Sequence, residues 1–89
     1  MEIEIQKGFE KDTRRMPTRI QQQAALAIQS IIIAVTFSDV PHLRQLSGYT
    51  NYYRIKIGQY RIGLFWDGKK FLIESIGVRG DFYKKYPPD

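Results

Sequence analysis

The stretch that decides the fold is residues 52–66, which read YYRIKIGQYRIGLFW. Polar and apolar side chains alternate on both sides of a central Gly58-Gln59 pair, and alternation with a period of two is typical of half-buried strands. A Gly-X pair between two such runs fits the two-residue turn that joins antiparallel strands. The stretch therefore predicts a β-hairpin in which Ile57 pairs with Tyr60 and Lys56 pairs with Arg61.

The predicted hairpin has one apolar face and one basic face. The apolar face is expected to belong to the core and carries Tyr53, Ile55, Ile57, Ile62 and Leu64. Arg54, Lys56 and Arg61 share the other face, where like charges directly opposite each other destabilise a sheet by up to about 1 kcal/mol. A bound phosphate or an acidic partner would turn that repulsion into charge-assisted hydrogen bonding. Gly63, opposite Arg54, is expected to leave room for a ligand to approach the backbone.

A third strand is predicted after the hairpin. Asp67-Gly68 is a strong two-residue turn signal, and residues 71–78 then form the strand. This register sets Glu74 across from Arg61 on the basic face. A surface ion pair without any ligand is therefore an alternative interpretation of that face.

The remaining elements give an α+β order in which an N-terminal strand and two helices pack on an antiparallel sheet ending in a three-stranded meander. The predicted elements are a strand at 2–6, helices at 7–15 and 18–35, a connection at 37–50 and a short helical turn at 79–86. Spacings of three and four residues predict that one stripe of the second helix faces the core. That stripe comprises Ile20, Ala24, Leu26 or Ala27, Ile28, Ile31, Ile32 and Val35.

Composition restricts the classes of site. The 89 residues contain no cysteine and one histidine, which excludes disulfide scaffolds, zinc–thiolate sites and multi-histidine metal centres. Length predicts a single domain over residues 1–89. The start of the chain does not resemble a signal peptide, and the longest apolar run is too short to span a bilayer, so a cytoplasmic location without membrane contact is expected.

The charge distribution indicates an anionic partner. The formal net charge is +5, and residues 54–85 carry eight Lys or Arg against three Asp or Glu. The whole excess therefore falls on the meander and the segment after it. A basic face kept only for solubility is the alternative reading of such a bias.

Three segments together resemble the RelE/ParE toxin superfamily of type II toxin–antitoxin systems. They are PHLRQLSG at 41–48, YRIKIGQYRI at 53–62 and IGVRGDFY at 76–83. The resemblance covers essentially the whole chain, because the predicted order of elements is also that of the family. It implies a RelE-like microbial ribonuclease-type fold.

The resemblance to the RelE-like branch implies a ribosome-dependent endoribonuclease that cleaves mRNA and inhibits translation without a metal ion or other cofactor. By position it implies Lys56, Arg61, Arg79 and Tyr83 as catalytic residues. Arginines fork onto phosphate oxygens and stabilise charge on the pentacovalent phosphorus. A tyrosine stacks on a base or assists proton transfer, and Lys56 serves as an acid or base. RNA-binding residues implied are Arg54, Lys56, Arg61, Lys84 and Lys85.

Two departures from the family leave the general base open. Many relatives have a histidine where this chain has Val78, or a glutamate where it has Arg54. Proton abstraction is then left to Lys56, Tyr83 or the ribosome. The single histidine, His42, lies outside every catalytic position and is interpreted as structural.

The resemblance also implies the partners. These are the ribosome with its mRNA and a cognate antitoxin protein, and a heterocomplex with the antitoxin is expected rather than a stable homodimer. Two alternatives share the fold: a ParE-like inhibitor of DNA gyrase, and a degenerate toxin that binds its antitoxin without catalysis. The retained Arg, Lys and Tyr set favours the nuclease.

Overall fold

A mixed five-stranded sheet organises the chain in the computed structural model, which describes residues 1–88. The elements are β1 (Glu2–Ile5), α1 (Lys7–Arg14), α2 (Thr18–Ile33), a 3-10 turn (Phe37–Asp39), β2 (Leu43–Gln45), β3 (Tyr52–Ile57), β4 (Tyr60–Trp66), β5 (Lys70–Val78) and α3 (Arg79–Lys85). The strand order is β1-β5-β4-β3-β2. The predicted α+β class is confirmed.

The first hairpin has the predicted register. Ile57 pairs with Tyr60 and Lys56 with Arg61. Gly58 has a φ of 60°, a left-handed conformation that glycine adopts without the steric cost of a Cβ. The two-residue turn therefore fixes which side chains of β3 and β4 share a face.

The register predicted for the second hairpin is wrong. The turn is longer than two residues, because the Asp67 carboxylate accepts hydrogen bonds from the amides of Lys69 and Lys70 (both 2.8 Å). A β-bulge follows, since Gly63 pairs with Ser75 and Leu64 with Ile73, which leaves Glu74 as the extra residue. The two changes together bring Gly77 opposite Arg61. Glu74 is therefore not the cross-strand partner of that arginine.

The two edges of the sheet differ from the sequence-based expectation. β1 pairs with β5 in parallel, so the sheet is not wholly antiparallel. At the other edge, β2 forms three pairs with β3 inside the segment expected to be only a connection. Leu43 of β2 lies opposite Ile55, and its partly buried side chain adds to the core.

The core lies between one face of the sheet and the helices α1 and α2. The sheet contributes Ile55, Ile62, Leu64, Phe71, Ile73 and Ile76, and the helices contribute Phe9, Ile20, Ala24 and Ile31. Complete burial of an aliphatic or aromatic side chain stabilises a fold by about 1.5–3 kcal/mol. Phe37, from the 3-10 turn, adds edge contacts with Tyr53 and Trp66. The predicted apolar face of the hairpin is thus the core face.

The apolar stripe predicted for α2 is only partly right. Ile20, Ala24 and Ile31 are buried, whereas Ile32 and Val35 are exposed. The helix ends at Ile33, and Ala34 is extended, so the helical spacing no longer applies at Val35. Leu26 is also exposed, which leaves Ala27 as the partly buried member of that pair.

Candidate functional site

Both predicted catalytic arginines contact the Gly58-Gln59 turn, Arg61 through its side chain and Arg79 through its backbone. One guanidinium nitrogen of Arg61, Nη1, donates to the carbonyl oxygens of Gly58 (2.9 Å) and Tyr60 (3.0 Å). The backbone amide of Arg79, at the start of α3, donates to the carbonyl of Gln59 at 2.8 Å. Residues 18 positions apart in the sequence thus meet at one turn.

Arg61 is the one charged residue in the buried part of the described chain, with 6% of its surface exposed. Its Nε is buried and has no hydrogen-bond partner among residues 1–88. A buried donor without a partner costs about 1–3 kcal/mol, and more when it belongs to a charged group. The side chain therefore carries hydrogen-bonding capacity that the fold itself does not use.

Lys56 and Arg54 extend the site along β3. Lys56 is exposed and lies directly opposite Arg61, as predicted. Arg54 is half-buried, and its Nη1 donates to the carbonyl of His42 at 2.7 Å. His42 has a φ of 64°, so Arg54 secures a left-handed position of the loop before β2. Lys56 is the freer cation of the two.

α3 supplies the remaining predicted residues. Arg79 and Tyr83 are exposed and lie four positions apart, which places them on one side of the helix. Lys84 and Lys85 are exposed in its last turn. Phe82 and Tyr86 are buried and hold the helix against the sheet. The structure thus brings Lys56, Arg61 and the start of α3 to the same turn and places Tyr83, Lys84 and Lys85 progressively farther along α3.

Gly63 does not provide an open approach for a ligand, contrary to the expectation. The ring of Tyr86 fills the space over it, and a Cβ at position 63 would lie 2.7 Å from the ring. The Tyr86 hydroxyl donates to Glu74 at 2.7 Å, so Glu74 serves this tyrosine instead of Arg61. Sequence reasoning missed Tyr86; the available signal was the four-residue spacing of two aromatic side chains, Phe82 and Tyr86, in the last helix.

Two further properties concern the described residues alone. Nowhere in residues 1–88 do three His, Asp or Glu side chains gather as ligands for a metal ion. Among the same residues, no helix has the length and apolar character that crossing a bilayer requires.

Comparison with known proteins identifies relatives over nearly the full length. The chain is 30% identical over 88 residues to Toxin RelE3 of Methanocaldococcus jannaschii, and the alignment covers 98% of this chain and 100% of that protein. No protein-family model matches the chain.

Solved structures agree in fold. The toxin in the RelB–RelE antitoxin–toxin complex from Methanococcus jannaschii superposes with a TM-score of 0.80 at 27% identity, covering 94% of this chain and 99% of that one. The RelE–RelB complex from Pyrococcus horikoshii gives a TM-score of 0.70 at 19% identity, covering 91% and 97%. Because the chain is 30% identical to a RelE toxin along that protein's whole length and shares the fold of RelE structures, it belongs to the RelE family of toxins.

Proposed function

We propose that this protein is the toxin of a type II toxin–antitoxin pair and acts as a ribosome-dependent endoribonuclease that needs no metal ion. The observation that carries the proposal is the meeting of Arg61, Lys56 and Arg79 at the Gly58-Gln59 turn. The buried Nε of Arg61 has no hydrogen-bond partner within residues 1–88, and Lys56 lies opposite Arg61. A phosphate group is the ligand whose charge and acceptor geometry fit this cluster.

The proposed reaction is attack of an RNA 2′-oxygen on the adjacent phosphorus. The new 2′-O–P bond forms as the 5′-O–P bond breaks, so the products are a 2′,3′-cyclic phosphate and a free 5′-hydroxyl. One group removes the 2′ proton and another protonates the departing 5′-oxygen. Arg61 and Arg79 stabilise the charge that grows on the phosphoryl oxygens.

Lys56 takes the proton-transfer role left open by the missing family histidine, and Tyr83 binds a base. Tyr83, 46% exposed, presents its ring to solvent from α3 and is placed to stack on a base of the bound RNA. Lys56 is exposed beside Arg61 and is the candidate proton-transfer group of the cluster. Arg54, Lys84 and Lys85 extend the positive surface for the RNA backbone.

The decisive experiment is primer extension on mRNA in a purified translation reaction, with and without ribosomes. Cuts that require ribosomes, with 5′-hydroxyl ends, support the proposal; 5′-phosphate ends would indicate hydrolysis by water and contradict the 2′-oxygen mechanism. Arg79→Ala should abolish the cuts, whereas Arg19→Ala, a change of an exposed arginine on α2, should not. Intact mRNA together with arrested DNA supercoiling would contradict the nuclease and favour gyrase inhibition instead.

The antitoxin is proposed to cover the basic surface. The toxin carries +5, so a partner that brings carboxylates to Lys56 and α3 would neutralise it and block RNA entry. Electrostatic steering makes such association fast and sensitive to salt. Thermal melting with and without the partner, at low and high salt, tests this. A partner that raises the melting temperature equally at both salt concentrations would contradict a charge-based interface.

A further inference from the structure

Two buried aromatic side chains hold α3 on the sheet. Phe82 is 3% exposed and Tyr86 is 6% exposed. The amide of Tyr86 donates to the carbonyl of Phe82 at 2.9 Å, so Tyr86 directly closes the helix. α3 has seven residues, and a helix this short has little stability of its own in water. Its position therefore depends on these anchors.

The Tyr86 ring fits a space that only glycine leaves open. Three ring atoms lie 2.7–2.9 Å from the position that a Cβ on Gly63 would take. This is shorter than the distance that two nonbonded carbon atoms tolerate. The ring also makes an edge contact with Tyr52, with centroids 5.7 Å apart. The shape of β4 at Gly63 thus specifies where the end of α3 lies.

A hydrogen bond completes the arrangement. The Tyr86 hydroxyl donates to the Glu74 carboxylate at 2.7 Å. Burial raises the pKa of Tyr86 above its ordinary value, and the hydrogen bond to Glu74 and the charge of Glu74 raise it further. The hydroxyl therefore keeps its proton and donates. Glu74 reaches this position because the β-bulge makes it the extra residue of β5.

We propose that Tyr86, Gly63 and Glu74 form a latch that sets the position of α3, and with it Arg79 and Tyr83 relative to Arg61. Tyr86 is a positioning residue of the site. The role in cleavage rests on the proposed function, whereas the latch itself does not. Misplacement of a catalytic group by about 1 Å can cost about 10²-fold in rate, so release of the latch reduces turnover while the sheet stays folded.

Hydrogen exchange tests the latch without any substrate. Tyr86→Phe removes only the hydroxyl, and the amides of residues 83–86 should exchange about tenfold faster or more, as expected for a lost hydrogen bond to a charged acceptor. Gly63→Ala pushes the ring away without altering it and should resemble Tyr86→Ala. Glu74→Gln keeps an acceptor and should retain part of the protection. Tyr49→Phe, on an exposed tyrosine, is the matched control and should change nothing.

Cleavage kinetics then test the positioning role. In the ribosome-dependent assay, Gly63→Ala and Tyr86→Ala should each lower kcat about 10²-fold with little change in KM, and the double variant should be no slower than either single one. Unchanged exchange in Gly63→Ala and Tyr86→Ala would overturn the latch. Faster exchange with wild-type kcat would overturn the positioning role. Absence of cleavage by the wild type would count against the proposed function, and the exchange result would still decide the latch.

Discussion

Replacement of Arg61 by methionine should separate stability from activity. The change keeps an unbranched stem in the buried site and removes the guanidinium. Two hydrogen bonds to the carbonyls of Gly58 and Tyr60 are lost, at about 0.5–1.5 kcal/mol each. Removal of the buried Nε, which has no partner among the described residues 1–88, stabilises the variant by about 1–3 kcal/mol. Because these contributions oppose each other, the free energy of unfolding should change by no more than about 2 kcal/mol in either direction.

The effect on cleavage should be much larger. Loss of one preorganised donor to a charged transition state typically lowers kcat by about 10²–10³-fold. Urea unfolding followed by the fluorescence of Trp66, the single tryptophan, gives the stability, and primer extension gives the rate. Arg19→Met, on an exposed arginine of α2, serves as the control. Wild-type cleavage by Arg61→Met would refute the phosphate role, and a loss of several kcal/mol would make Arg61 a structural residue instead.

Three further predictions concern single positions. Ile31→Ala should cost about 2–5 kcal/mol in urea unfolding because Ile31 is fully buried, whereas Ile33→Ala, at an 80% exposed position of the same helix, should cost less than about 0.5 kcal/mol; equal losses would contradict the orientation of α2. Tyr83→Phe should slow cleavage less than Tyr83→Ala, because stacking on a base is worth about 1–3 kcal/mol, and equal rates for the two variants would point to the hydroxyl. Backbone hydrogen bonds from Thr36 and Val35 lower the pKa of Asp39, so its contribution to stability is present above the unfolded-state pKa and is lost as the pH falls through the folded-state pKa; acid titration of melting should show a smaller loss in Asp39→Asn than in the wild type.

The sequence predicted the first hairpin correctly because its turn is local. Gly58-Gln59 sets the register within two residues, so the pairing of Lys56 with Arg61 follows directly. The second hairpin depends on a side chain and on packing. Asp67 caps two amides and lengthens the turn, and a bulge then inserts Glu74. Neither feature changes the alternation of polar and apolar residues enough to be recognised before the strands are paired.

Short length and contacts between distant segments account for the other differences. β2 has only three residues, too few for an alternation of polar and apolar side chains to be recognised. The Tyr86 ring meets Gly63 across 23 positions of sequence. A glycine in a strand indicates that something approaches the backbone closely. The residue type alone does not reveal whether a ligand or another part of the chain does so.

Two positions in the sheet break the ordinary preferences of strands: a glycine in the strand interior at Gly63, and two like charges opposite each other at Lys56 and Arg61. The structure shows which of the two serves the fold, and we propose that the other is left for a ligand. Natural chains violate these rules mainly at functional or strained positions. At Gly63 the violation is resolved inside the fold, because Tyr86 fills the space. At the Gly58-Gln59 turn it is not resolved: Lys56 stays opposite Arg61, and Nε of Arg61 finds no acceptor within residues 1–88. An anion bound at that turn would offset the repulsion between Lys56 and Arg61, which is why the proposed phosphate site belongs there and not at Gly63.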